Sequence, residues 1–155
     1  VVNSGSYKFD EDTQIVTVET SQLATLEDSI AVSEQLIQDP RIPRGAGFFV
    51  DLRTARHLLQ FDEIYQIVDW CKSRGFPFQG RCAFLVDRPA TVGTANIFCT
   101  LLQLYSIEAD MFDNSELALS WLSSAPRSSG EFDRRAELGT LTDGPADVEA
   151  AVVAR

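Results

Sequence analysis

Gly47-Phe48-Phe49-Val50-Asp51-Leu52-Arg53 decides how this chain is read. An apolar run leads into an Asp and an Arg, and Gly45 and Gly47 punctuate its start. It is too short to be a helix of its own. It fits a strand buried on both faces, as found in the middle of a parallel sheet. Ligands of open α/β sheets bind beyond the carboxyl ends of the strands. Asp51, Arg53, Thr54, Arg56 and His57 therefore fall where a site is expected.

Working back from that strand, Pro40 to Gly45 is a tight basic link. Before it, Thr25-Leu26-Glu27-Asp28 is a helix start, with Thr25 as N-cap and acids in the first turn. Leu26, Ile30, Ser33 and Ile37 form one stripe, and Asp39-Pro40 ends the helix. Tyr7-Lys8-Phe9 and Ile15-Val16-Thr17-Val18 are short period-2 strands. Asp10-Glu11-Asp12-Thr13 joins them as a solvated hairpin turn, since it lacks the Gly and the further oxygen ligands of a calcium loop.

Working forward, a second helix starts near Phe61, with Asp62 and Glu63 in its first turn and Ile64, Ile67, Val68 and Cys71 on its apolar stripe. Lys72, Arg74, Gly75 and Pro77 mark its stop. Cys82-Ala83-Phe84-Leu85-Val86 is a second central strand, ending at Asp87. Pro89 opens a third helix that carries Val92, Ala95, Phe98, Leu101 and Leu102. Gly93 inside it implies close packing or the close approach of something. A half-buried strand over 107–112 and a fourth helix, capped at Asn114 and ending at Trp121-Leu122, complete the pattern. The order β-β-α-β-α-β-α-β-α predicts an α/β fold with a mostly parallel sheet and an antiparallel first strand. A single domain is expected over 1–122. Residues 123–155 read as a polar tail, with a short amphipathic helix at 145–153.

The 155 residues suffice for one core, and the net charge of −10 disfavours nucleic acid and anionic membrane surfaces. No window reaches the roughly 18 to 20 apolar residues of a membrane span. Val1-Val2-Asn3 has neither the basic start nor the apolar stretch of a secretory signal. Cys71, Cys82 and Cys99 are odd in number and widely spaced, which suits core thiols in a reduced, cytoplasmic compartment. No metal or cofactor is expected. Glycine-rich phosphate loops are missing, and Gly45-Ala46-Gly47 precedes a strand instead of following one.

The hairpin, Asp39-Pro40-Arg41, Phe48 to Arg53, Phe61-Asp62-Glu63-Ile64 and Arg81 to Val86 together resemble the STAS domain and its SpoIIAA-like relatives, the anti-sigma-factor antagonist fold. Gly93 to Phe98, Phe112, Glu116-Leu117-Ala118 and Trp121-Leu122 extend the likeness, which covers roughly residues 7–122 and is nearest to small standalone STAS-like bacterial proteins. The resemblance implies a non-enzymatic interaction or regulatory module. In the antagonists, a Ser of an Asp-Ser-Ser-Gly motif is phosphorylated at the start of the helix after the central strand. Leu58-Leu59-Gln60-Phe61-Asp62 stands at that place, so the phospho-switch does not carry over.

Three functional readings follow. In the first, Arg53, Thr54, Arg56, His57, Leu58, Gln60 and Phe61 form a contact surface for a protein partner, with a homodimer as one form. In the second, a small apolar ligand or lipid binds near Asp51, Arg53, His57, Asp87, Arg88 and Gly93, its head group held by Arg53 or Arg56. Phe76-Pro77-Phe78 offers an exposed ring to the same reading. In the third, His57 oriented by Asp51 starts a hydrolase-type site, although no nucleophile motif accompanies it.

Overall fold

Among the described residues nine elements follow in the order β1 (Tyr7–Asp10), β2 (Ile15–Glu19), α1 (Leu26–Gln38), β3 (Gly47–Asp51), α2 (Phe61–Ser73), β4 (Cys82–Leu85), α3 (Pro89–Leu104), β5 (Ala109–Phe112) and α4 (Ser115–Ser123). The computed structural model describes residues 7–20, 25–55, 57–75 and 80–124. Arg56, Phe76-Pro77-Phe78 and the expected tail with its helix at 145–153 lie outside the described residues.

The element ends follow local chemistry. Asp10 accepts backbone hydrogen bonds from Asp12 (2.9 Å) and Thr13 (3.3 Å), so the acidic link is a hairpin turn. Thr25 and Asp28 form a reciprocal capping box at α1. The Glu63 carboxylate accepts from the Gln60 N–H at the start of α2 (2.9 Å). The chain leaves α2 through Gly75, whose φ of +84° is left-handed and suits glycine. Thr91 caps α3 by accepting from the backbone N–H groups of Asp87 (3.0 Å) and Arg88 (3.1 Å).

The sheet order is β1-β2-β3-β4-β5, with β1 antiparallel to β2 and every other pair parallel. β3 is therefore the central strand. Its Phe48 and Phe49 are buried on opposite faces. Each parallel crossover steps one strand in the same direction. Right-handed crossovers then place α1, α2 and α3 on one face. Two registered rows, Val16-Phe48-Cys82-Ala109 and Val18-Val50-Phe84-Met111, meet those helices in the main core.

Among the described elements only α4 packs on the other face, where Ala118 and Leu122 meet Ile15, Phe49, Ala83 and Leu85. α4 passes close to Gly47, where a Cβ would make ordinary contact with the Leu122 side chain at 3.4 Å. Arg81 fastens the far end of α4. It donates to the Trp121 carbonyl (2.6 Å), lies 4.7 Å from that ring's centroid, and pairs with Glu108 (3.3 Å).

On α3 one apolar residue lies off the core stripe and one expectation needs correction. Val92 is 41% exposed, because the inward stripe runs through Thr91, Thr94, Ala95, Cys99 and Leu102 and each residue turns about 100° from the last. Gly93 makes no close approach, since a Cβ built there meets nothing within 4 Å. The close approach lies instead at Gly80, where a Cβ would stand 2.6 Å from the carbonyl oxygens of both Gly45 and Ala46.

Candidate ligand cavity and the polar strand ends

The polar strand ends close on one another. Asp51 accepts from the Arg53 backbone N–H, Nε and Nη2, each at 3.0 Å. Burial pushes the Asp51 carboxyl up, and the Arg53 hydrogen bonds outweigh that and hold it below its ordinary range. Arg88 donates to Asp87 (3.0 Å) and to the Arg53 carbonyl (3.2 Å), which ties the ends of β3 and β4 together. The same Asp-x-Arg clamp recurs after α1. There Asp39 accepts from the Arg41 N–H, Nε and Nη2 and from the Tyr7 hydroxyl. The spacing stands three times in the sequence, at Asp39-Pro40-Arg41, Asp51-Leu52-Arg53 and Asp133-Arg134-Arg135, the last outside the described residues, and was the signal available for it.

His57 takes no part in these clamps. Its Nε2 lies 3.7 Å from Glu63, so the Asp51–His57 pair expected of a hydrolase-type site is not formed. Arg53, Thr54, His57 and Gln60 are exposed, Leu58 and Leu59 are half-buried, and Phe61 is 37% exposed. Phe61 and Tyr65 sit one turn apart on α2 with ring centroids 6.4 Å apart.

Beneath this loop, between the sheet and α1 to α3, lies a cavity of about 130 Å³. Phe48, Val50 and Phe84 line it from the sheet, Leu36 from α1, Val68 from α2 and Phe98 from α3. Ala55, His57, Leu58 and Leu59 line it from the loop. The loop therefore has an outer surface and an inner one. Of the pocket residues expected from sequence, His57 lines the cavity, whereas Asp51, Arg53, Asp87, Arg88 and Gly93 do not. The reason is the pleat and the clamps. Asp51 alternates with Val50, which faces the helices, and Arg53 is engaged by Asp51.

No Lys, Arg, Asp or Glu lines the cavity among the described residues. Its polar side chains are Thr20, Thr25, Ser29, Ser33, His57 and Thr94, together with the thiols of Cys71 and Cys82. Burial pushes the Cys71 thiol up to about 11 and the Cys82 thiol well above its ordinary value, so both are neutral near pH 7. All three cysteines are buried and none forms a disulfide, as expected of core thiols. Among the described residues no group of three or more His, Cys, Asp or Glu could hold a metal ion, and no helix is long and apolar enough to cross a membrane.

Comparison with known proteins finds no matching family model, no matching curated protein and no matching solved structure.

Proposed function

We propose that the chain is a STAS-like, non-enzymatic binding module that takes up a small apolar molecule between its sheet and helices α1 to α3. The observation that carries this reading is the cavity of about 130 Å³ in an apolar core. Protein interiors hold few voids larger than a water molecule. This one is partly open to solvent, so a molecule can enter it and cover its apolar lining. The sequential sheet, its antiparallel first strand and the helix order support the STAS-like part of the reading. The test is an NMR titration of the full chain with benzene. Methyl signals of Val18, Val50, Ile67 and Leu36 should shift together and saturate, and the melting temperature should rise. Silence of those methyls up to the solubility of benzene would sink the proposal.

A second reading rests on the exposed Phe61–Tyr65 pair beside Arg53, Thr54, His57 and Gln60. Such an aromatic patch with a polar rim suits a contact with a protein partner, here a second copy of the chain. Sedimentation should then show concentration-dependent association that Phe61→Ser and Tyr65→Ser together abolish. A wild-type chain that stays monomeric at its highest soluble concentration would rule out this contact.

A further inference from the structure

Among the described residues four threonines are buried, and three of them are satisfied. Thr20 donates to the Asp51 carbonyl, Thr91 to the Arg88 carbonyl (2.8 Å) and Thr100 to the Asn96 carbonyl (2.8 Å). Thr94 is 8% exposed and lines the cavity, and its hydroxyl has no hydrogen-bond partner among the described residues. It forgoes the bond to the preceding turn that Thr100 makes on the same helix. Its oxygen is not among the enclosed polar atoms that lack a partner, so it stays open to water or to a ligand in the cavity.

The other hydroxyls that line the cavity are already engaged. Ser33 donates to the Ser29 carbonyl (2.9 Å), Ser29 to the Thr25 carbonyl (3.4 Å), and Thr25 accepts from the Asp28 N–H (3.1 Å). A charged head group would find no opposite charge among the described lining residues, and burying an unpaired charge is far more costly than burying a paired hydroxyl. The size is also restrictive. An apolar cavity of roughly 150 Å³ accepts benzene.

From these observations, and resting on the small-molecule reading above, we infer that Thr94 is a ligand-binding residue and that its ligand is uncharged, about the size of one aromatic ring, and bears a single hydroxyl. The Thr94 hydroxyl meets the ligand hydroxyl, and the Phe48, Phe84 and Phe98 walls take the ring. A hydroxyl on either side can donate or accept, so one bond satisfies both groups.

The experiment titrates benzene, phenol and benzoate into the full chain at pH 7, following the cavity methyls by NMR. Wild type should bind phenol about fivefold more tightly than benzene, the gain of one net hydrogen bond. It should show no saturable binding of benzoate. Thr94→Val keeps the side-chain shape and removes the hydroxyl, and should lose the preference for phenol over benzene. Thr94→Ser keeps the hydroxyl and should retain the preference. Equal binding of phenol and benzene by wild type, or a preference that survives Thr94→Val, overturns the inference and leaves the small-molecule reading standing. Saturable benzoate binding as tight as phenol overturns the uncharged ligand. Failure of all three probes, benzene included, removes the small-molecule reading itself. If Thr94→Val does not fold, the wild-type ratio and Thr94→Ser decide alone, and a ratio of one overturns the inference.

Discussion

Alanine at Gly80 and alanine at Gly93 should move the stability in opposite directions. At Gly80 the new methyl would collide with two backbone carbonyl oxygens 2.6 Å away, so the link before β4 must shift away from the link before β3. Overpacking of this kind costs about 1 to 3 kcal/mol, and backbone neighbours yield least. At Gly93 the methyl enters open space on an exposed helix position, and alanine loses less backbone freedom on folding than glycine does. Gly93→Ala should therefore add about 0.5 to 1 kcal/mol. Urea unfolding of both variants measures this, and a destabilised Gly93→Ala would show that the position serves a contact absent from the described residues. Sequence order alone does not separate the two glycines. A glycine inside a helix normally signals a close neighbour, and the neighbour that matters at Gly80 comes from a link 34 positions earlier.

Elements meet at Asp39, which joins β1, the end of α1 and the basic link that follows. The hydrogen bonds from Arg41 hold its carboxyl well below the ordinary range, with the Tyr7 hydroxyl adding to the same effect. A depressed carboxyl contributes stability that is fully present above its unfolded-state pKa, about 4, and is lost as pH falls toward the folded value. The gap in stability between wild type and Asp39→Asn should thus stay constant from neutral pH down to about 5 and narrow below about 4. Urea midpoints across a pH series test it, and a gap that widens in acid would contradict the assignment. The element ends were largely legible, because capping and stop signals are local. Thr25 with Asp28, Asp39-Pro40, Gly75, Pro89 and Asn114 all act within a turn of where they stand. Val92 falls outside the buried stripe of α3, because apolar character alone does not give a helix residue its phase.

At the scale of the whole molecule, the α/β class and the central position of β3 could be read from continuous apolar runs flanked by helical periods. The cavity could not. A void is the mismatch between side chains from six elements and a loop, and no sequence window contains it. The expected pocket failed for a related reason. Charged residues at strand ends attract attention as a site, yet Asp51 with Arg53 and Asp87 with Arg88 satisfy one another within two positions. The weaker signal was the neutral one, the run of Ser29, Ser33 and Thr94 on otherwise apolar helix faces. The sequential strand order bears on how the chain is made. Synthesis proceeds from the N-terminus, and folding can follow it. Each strand that emerges finds its neighbour already laid down, so no slot in the sheet has to be held open for a later strand. α4 comes last and covers the bare face of β3, β4 and β5 only once all three are in place. Until then Phe49 and Leu85 stand uncovered on a growing sheet. The interval between completing β5 and adding α4 is therefore when the nascent chain is most open to sticking to its neighbours.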